Sequence, residues 1–180
     1  PVFEYDTIEK LSNFCEINFA FPTLEKIGFE DSHIKVIPYN LKNVANYHET
    51  RDFPALDSTT HLSPHLRFGT VSIRKLVNWA ATKNQVFLNE LIWREFFMQI
   101  LFSFPKVVAH NFKSAYDGIQ WRNNEEDFER WCSGTTGYPM VDAGMRELNE
   151  TGYMHNRVRM VVASFLCKHL LINWQWGEAY

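Results

Sequence analysis

Two stretches of the sequence combine charged and aromatic side chains at helical spacing. In "LNELIWREFF", Glu90, Trp93 and Arg94 are three and four residues apart, so a helix places them on one face. A carboxylate there can accept hydrogen bonds while the indole offers a flat apolar surface to a ring. The alternative is an ordinary ion pair between Glu90 and Arg94, with Trp93 in the core. Spacing alone favours this alternative.

The second stretch, "TGYMHNRVRM", begins a predicted helix with several hydrogen-bonding groups. On that helix Asn156 and Met160 share a face with Arg159 beside them, whereas Arg157 points elsewhere. The simpler interpretation is that Asn156 caps the helix and that the arginines are solvated. However, the apolar run that follows, "MVVASFLCKHLLINW", indicates a deeply buried helix. Arginines at the start of such a helix need an anionic partner.

A polar loop in "STTHLSPHLRFG" precedes another predicted helix and carries three hydroxyl residues: Ser58, Thr59 and Thr60. The helix begins at Ser63 and Pro64, where free N–H groups and the helix dipole favour an anion. This predicts a phosphate-binding loop, and the alternative is a capped helix after a polar loop. His61 and His65 have the spacing of metal ligands, but Pro64 lies between them and no third ligand is evident, so we expect no metal site.

Composition and charge restrict the class of protein. The chain has 180 residues, of which 46% are hydrophobic and 22% charged, and this predicts one domain with a sizeable core. Its net charge of -3 means that contact with nucleic acid needs a local basic patch. Three widely spaced cysteines without a CxxC motif indicate reduced thiols and a cytoplasmic location. No apolar run reaches the roughly 18 residues of a membrane span.

Periodicity and turn signals predict an all-α fold, because no segment shows the alternation of a strand. Residues 1–58 have weak periodicity and predict short helices joined by irregular segments. The later residues predict six helices, with these approximate bounds: Ser63 to Gly69, Ser72 to Ala81, Val86 to Phe104, Glu125 to Cys132, Pro139 to Gly152 and His155 to Trp174. Ser63 and Ser72 are the expected N-caps, and Gly152 is the expected C-terminal glycine.

Four motifs together resemble a known family. "TTHLSPHLRFG", "LNELIWREFF", "WCSGTTGYPMVDAGMREL" and "TGYMHNRVRMVVASFLCKHLLINW" resemble, in order and spacing, the FAD-binding helical domain of the photolyase and cryptochrome family, and class I cyclobutane pyrimidine dimer photolyases in particular. The resemblance covers about residues 44–180 and implies that residues 1–43 are a linker and the start of the helical domain. It also implies a longer protein, with an α/β domain for an antenna chromophore before this chain and a further helical segment after it.

The resemblance implies roles for individual residues. It implies that FAD contacts Tyr47, Thr59, Thr60, Leu62, Ser63 and, beside the flavin ring, Arg159. The extruded dimer is expected at Glu90, Trp93, Asn156 and Met160. Three arginines are expected to neutralise DNA phosphates or flank the site: Arg51, Arg94 and Arg157. Two tryptophans match members of an electron relay to the flavin: Trp121 and Trp174. The sequence departs from the family at His61, where relatives usually carry arginine, and at Phe87, where many carry tryptophan.

The activity that the resemblance implies is light-driven DNA repair. Excited, reduced FAD gives an electron to a flipped-out pyrimidine dimer, the dimer splits, and Glu90 is expected to stabilise the transient radical anion. The partner is damaged DNA, and we expect a monomer. A cryptochrome-type photoreceptor and a cofactor-free helical interaction module are the alternatives, with Asn156 favouring repair. We expect this chain alone to bind FAD weakly or not at all, because the acidic partner of Arg159 belongs to the absent segment.

Overall fold

The computed structural model describes residues 20–180, and within them it contains helices and no strands, which confirms the predicted all-α class. The chain divides into two compact units, Pro1–Ser32 and His33–Tyr180. In the described part of the first unit, a short 3₁₀ turn spans Glu25–Ile27 and ends at Gly28, which has a positive φ of 83°. The division at residue 32 leaves the predicted boundary near residue 43 untested.

The second unit contains eight α-helices: α1 Tyr47–Thr50, α2 Leu62–Arg67, α3 Ile73–Ala80, α4 Gln85–Ser103, α5 Glu125–Ser133, α6 Pro139–Thr151, α7 Asn156–Ser164 and α8 Trp174–Ala179. Three 3₁₀ segments and one π-helical turn accompany them: Lys42–Asn46, Pro105–Val108, Ser114–Tyr116 and Phe165–His169. The short helices joined by irregular segments that were predicted before residue 58 are present within residues 20–58. No helix within residues 20–180 is both long enough and apolar enough to cross a membrane.

Helix ends agree with the sequence where a local cap determines them. Ser72 accepts a hydrogen bond from the backbone N–H of Lys75 at the start of α3, and Gly152 ends α6 with a φ of 69°. The predicted cap at Ser63 is wrong. His61 is the N-cap residue of α2, with a left-handed φ of 52°, and helical dihedrals begin at the buried Leu62. The left-handed turn therefore starts the helix earlier than the serine–proline pair indicates.

The last predicted helix is also wrong beyond His169, where the helical structure ends. The chain passes from α7 into the π-helical turn, takes a left-handed conformation at Leu171 with a φ of 54°, and starts α8 only at Trp174. The interrupted backbone finds partners elsewhere, because the Leu171 carbonyl accepts the N–H of Arg122 at 2.8 Å. These tertiary hydrogen bonds offset the loss of helical ones.

Two hydrophobic clusters hold the second unit together. The larger joins α5, α6, α7 and the π-helical turn through these buried residues: Trp131, Val141, Met145, Met154, Val158, Val162, Phe165, Leu166 and Ile172. The smaller joins the 3₁₀ segment before α1 to α2, α3 and α4 through Val44, Leu62, Leu76, Ala80, Phe87 and Leu91. Helix α6 can approach α7 closely because a glycine, Gly144, faces Val158 and Val162. This close approach positions the start of α7.

The predicted deep burial of α7 is wrong within the described residues. Val158 and Val162 are buried against α6, but Met160 and Val161 on the other side are exposed. Helix α4 is apolar almost all round, and yet only Phe87 and Leu91 on it are fully buried. When apolar residues lie on every side of a helix, the sequence therefore does not show which side is buried against the rest of this chain.

Candidate functional site

A cavity of about 380 Å³ lies where α1, the loop before α2 and the connection from α6 to α7 meet. Its lining residues are Tyr47, Arg51, Thr59, Thr60, His61, Leu62, Ser63, Tyr153, Met154, His155, Asn156 and Arg159. All six residues predicted to contact a cofactor are among them, although they come from distant parts of the sequence. The structure thus brings the hydroxyl-rich loop to the polar start of α7.

Hydroxyl groups form one wall of this cavity. The Thr59 and Tyr153 hydroxyls are 2.8 Å apart, and the His61 ring lies 4.6 Å from the Tyr153 ring between centroids. Burial raises the pKa of Tyr153, so its hydroxyl stays protonated and can donate to Thr59 or to a ligand. Sequence reasoning missed Tyr153. The only signal was an aromatic hydroxyl residue directly after the Gly152 that ends α6.

The loop is less dependent on a helix dipole than the sequence suggested. Helix α2 has only six residues, Leu62–Arg67, and so provides a weak dipole at its start. Two cationic side chains, Arg51 and Arg159, line the same cavity as the hydroxyls. An anionic group in the cavity would therefore be bound mainly by hydroxyls and arginines.

Two buried ring nitrogen atoms lie at the cavity: within residues 20–180 His61 Nδ1 has no hydrogen-bond partner, whereas the His155 ring interacts with the backbone of Arg51. His155 Nδ1 accepts the backbone N–H of Arg157 at 3.2 Å, which leaves the proton on Nε2. Burial lowers the pKa of His155 and favours this neutral form. The neutral His155 ring thus caps α7 through Nδ1 and interacts with the backbone of Arg51, which holds the start of α7 at the cavity.

A chain of ion pairs connects three of the residues predicted on the substrate side: Glu90, Arg51 and Arg157. Glu90 forms an ion pair with Arg51, and Arg51 Nε lies 3.6 Å from Asp52 Oδ1. The same Asp52 oxygen accepts a hydrogen bond from Arg157 Nε at 2.7 Å. Burial of Arg51 opposes its ionisation, but the charge and hydrogen bond of Glu90 outweigh this effect and raise the pKa of Arg51. Arg51 is therefore firmly cationic, and both arginines are already paired with carboxylates.

Glu90 reaches the cavity only through Arg51, since Arg51 and Asn156 line the cavity and Glu90 does not. Met160 joins the same chain, because Arg157 Nη1 lies 3.4 Å from its sulfur atom. Sequence reasoning missed Asp52, which connects the two arginines. No local pattern distinguishes this carboxylate from the other acidic residues around it.

Two expectations for α4 change with the structure. The ordinary ion pair between Glu90 and Arg94 is wrong, because Glu90 pairs with Arg51 and Arg94 Nη2 donates to the Leu66 carbonyl at 3.4 Å. Trp93 is 53% exposed and stacks on Phe97, with the ring centroids 5.9 Å apart. The structure therefore does not bring Trp93 to the cavity that Asn156 lines.

The two predicted relay tryptophans lie together at a separate cavity of about 140 Å³, which both Trp121 and Trp174 line. Trp174 Nε1 donates a hydrogen bond to Asn111 Oδ1 at 3.0 Å. Asn111 is fixed in turn, because its backbone and side-chain N–H groups donate to Asp117 at 2.9 and 2.8 Å. The structure thus positions the Trp174 indole through two polar residues that sequence reasoning did not select.

A third cavity, of about 250 Å³ and mostly apolar, lies beside α7 and α8. Arg159 lines both this cavity and the hydroxyl-lined one, and its side chain forms no ion pair within residues 20–180. In the same part of the chain, no group of three His, Cys, Asp or Glu residues is arranged to hold a metal ion. Arg159 is thus a cation available to a ligand in either cavity.

Known proteins are similar to this chain over most of its length. Residues 87–180 match the family model described as the FAD binding domain of DNA photolyase. The chain is 43% identical over 176 residues to a deoxyribodipyrimidine photo-lyase of Vibrio cholerae, covering 90% of this chain and 38% of that protein. In fold it is similar to a bacterial class III photolyase from Agrobacterium tumefaciens, with a TM-score of 0.72 and 46% identity over 76% of this chain and 30% of that one.

A cryptochrome of Synechocystis has a similar fold as well, with a TM-score of 0.64 and 32% identity over 90% of this chain and 39% of that one. The chain thus spans between 30% and 39% of the length of these three proteins.

Proposed function

Since the chain belongs to the family defined by the FAD-binding domain of DNA photolyases, we propose that it is part of a light-driven enzyme that splits cyclobutane pyrimidine dimers in DNA. The observation that supports this proposal is the convergence of three distant segments, α1, the 59–63 loop and the 153–159 segment, on one polar cavity. Since the chain spans about a third of its relatives' length, the complete reaction is assigned to a longer protein that contains it.

The cavity has the groups that the cofactor needs. FAD carries a diphosphate, for which the hydroxyls of Thr59, Thr60 and Ser63 are suitable partners, and we assign Arg159 to the flavin ring. Bound FAD would supply light absorption and the transfer of an electron to the dimer. We propose that Tyr47 and Leu62 complete the contact surface.

The substrate side is supported by the ion-pair chain. Arg51 holds the Glu90 carboxylate in place, so that Glu90 can accept hydrogen bonds from a base edge without first being ordered. Asn156 faces the cavity and can donate or accept at the same base. Met160 and Trp93 offer apolar surface to the extruded bases. We assign Arg94 and Arg157 to the DNA-facing side and Trp121 and Trp174 to electron transfer toward the cofactor.

Two measurements test the proposal. The first is light-dependent repair of an oligonucleotide with a single thymine dimer, using the longer FAD-loaded protein and its Glu90→Gln variant. We expect Glu90→Gln to lower the quantum yield about tenfold or more. Glu95→Gln is the matched control, because Glu95 is exposed on the same helix and accepts a hydrogen bond from Gln99. Equal repair by both variants and the unchanged protein would exclude the role of Glu90, and absence of repair would exclude the function.

The second measurement is titration of this chain alone with FAD, followed by flavin fluorescence. We expect weak binding or none, because no carboxylate within the described residues pairs with Arg159 to orient it beside the flavin ring. Tight stoichiometric binding would contradict this expectation. If the longer protein also failed to bind FAD, a cofactor-free helical interaction module would remain.

A blue-light photoreceptor is the second candidate function, because a cryptochrome shares the fold at 32% identity. The photolyase of similar fold is more similar in sequence, at 46% identity, and this favours repair. The two candidates differ in outcome. A photoreceptor is expected to show light-driven reduction of bound flavin without loss of the thymine dimer.

A further inference from the structure

Asp52 is the central anion of the chain of ion pairs Glu90–Arg51–Asp52–Arg157. One of its oxygen atoms, Oδ1, lies 2.7 Å from Arg157 Nε and 3.6 Å from Arg51 Nε. The two carboxylates and two guanidinium groups cancel in charge. The local basic patch that DNA binding requires is therefore neutralised in the free protein, and Asp52 accounts for half of that neutralisation.

The two carboxylates differ in how easily they can leave the arginines. The Glu90 side chain is 33% exposed and contacts Arg51 from the α4 side. The Asp52 side chain is 54% exposed and pairs with an Arg157 side chain that is 40% exposed. Exposed ion pairs contribute little to stability, because water screens them and flexible side chains must be ordered. Asp52 can therefore exchange with a competing anion, whereas Glu90 stays with Arg51.

One oxygen shared by two guanidinium groups is an arrangement that suits a phosphodiester as well as a carboxylate. Both anions carry a single negative charge at neutral pH, and arginine binds the oxygens of either. We propose that Asp52 occupies, in the free protein, the place of a DNA backbone phosphate between Arg51 and Arg157, and that a phosphate displaces it when DNA binds. This inference rests on the proposed function, because it takes DNA as the ligand.

The displacement has a measurable consequence for affinity. Each DNA molecule that binds must break the contacts of Asp52 with the arginines before its phosphate can form equivalent ones. Replacing Asp52 by asparagine keeps the size of the side chain but removes the competing charge. The variant should therefore bind DNA more tightly. If Asp52 instead only holds Arg157 in the position that DNA needs, the variant should bind DNA more weakly, because the arginine would then move out of that position.

The experiment measures binding of a fluorescent duplex with one thymine dimer, and of the same duplex without it, to the longer FAD-loaded protein in the dark. Fluorescence anisotropy is recorded over a range of salt concentrations. For Asp52→Asn we expect about 3- to 10-fold tighter binding at low salt, and a slope of log affinity against log salt that is steeper by up to about 0.9. Far-ultraviolet circular dichroism confirms that each variant is folded.

Two further variants make the result specific. Glu49→Gln removes the same charge from the neighbouring α1, where Glu49 lies beside His48 and away from the two arginines' shared oxygen, and should change affinity less than about twofold. Asp52→Asn combined with Arg157→Ala should lose the gain in affinity, because the released cation is absent.

If the Asp52→Asn variant bound DNA with unchanged or lower affinity, the inference would be overturned. An equal gain in affinity for Glu49→Gln would also overturn it, because the gain would then come from net charge and not from the position of Asp52. Failure of the unsubstituted protein to bind DNA would overturn the proposed function, and with it the inference. This outcome is distinct, because the unsubstituted protein alone reveals it.

Discussion

Replacing Gly144 by alanine tests the packing of α6 on α7, which positions the polar start of α7 at the cavity. A Cβ atom at Gly144 would lie 2.4 Å from Val158 Cγ1 and 3.1 Å from Val162 Cγ2. Carbon atoms in favourable contact are about 3.5–4.0 Å apart. Valine in a helix has one strongly preferred rotamer, so the Val158 methyl cannot simply turn away. The backbone of α7 must move by about 1 Å.

The expected magnitude follows from two opposing effects. Overpacking a close helix contact costs about 1–3 kcal/mol. Alanine in place of glycine in a helix interior returns about 1 kcal/mol. A contact of 2.4 Å belongs in the upper part of that range, at about 2–3 kcal/mol, so we expect Gly144→Ala to lower the free energy of unfolding by about 1–2 kcal/mol. For a chain of this length that corresponds to a melting temperature lower by about 2–8 °C.

The assay is thermal unfolding of the chain, followed by far-ultraviolet circular dichroism. Gly118→Ala is the matched control, because a Cβ atom there meets nothing within 4 Å, and we expect its stability to change by less than about 0.5 kcal/mol. Val158→Ala in the Gly144→Ala background should recover part of the loss, with a coupling energy of about 0.5–3 kcal/mol. A Gly144→Ala protein as stable as the unsubstituted chain would refute the close packing of α6 and α7.

Three further predictions concern titration and buried hydrogen bonds. Burial lowers the pKa of His155, so as pH drops the unfolded chain takes up a proton before the folded chain does, and stability should fall below about pH 6.5. The variant His155→Asn keeps an N-cap and should remove this dependence in melting curves recorded against pH. An unchanged dependence would contradict the assignment to His155. Burial raises the pKa of Cys132 from 9.0 to about 11, so its alkylation by iodoacetamide at pH 8 should be roughly 100-fold slower than that of a free thiol. Mass spectrometry follows the reaction, and alkylation at the rate of a free thiol would contradict the raised pKa. Asp142 accepts the backbone N–H groups of Thr136 and Gly137 at 2.8 and 2.9 Å, so Asp142→Ala should lower the free energy of unfolding in urea by about 2–3 kcal/mol, and a loss below about 0.5 kcal/mol would show that these bonds do not matter.

The sequence predicted the candidate site best where one motif carries its residues. The hydroxyl-rich loop of Thr59, Thr60 and Ser63 is contiguous, and its resemblance to a family specified these residues before their positions were known. The cavity they share with Arg159 is observed, while their roles in binding FAD stay predictions. Tyr153 was not predicted, because its importance depends on a hydroxyl of Thr59 far away in the chain.

Asp52 shows the same limit for charge. Its neighbours in sequence do not reveal that Arg157 approaches it, since the two residues are brought together only by the packing of α7 near α1. Spacing favoured an ion pair between Glu90 and Arg94, but in the structure Glu90 pairs with Arg51, which is distant in sequence. Tertiary ion pairs carry no periodic signal along the chain.

Helix boundaries follow a similar rule. Ser72 and Gly152 act on backbone groups within a few residues, and both predicted boundaries are correct. The break near Leu171 depends on Arg122, which is remote in sequence, so an apolar run gave no sign of it. A helix end that depends on a local cap can be predicted from the sequence. A helix end that depends on a backbone donor from a distant segment cannot.

The break before α8 also determines how the two tryptophans are held relative to each other. The residues directly after Trp121 bind the residues just before Trp174, through Arg122 N–H to the Leu171 carbonyl and Asn173 N–H to Asn123 Oδ1, each at 2.8 Å. These two hydrogen bonds join the backbone segments next to the two tryptophans and so hold the indoles near each other. Trp174 itself begins α8, so a shift of α7 is expected to change what surrounds the pair before it changes the separation of the two rings.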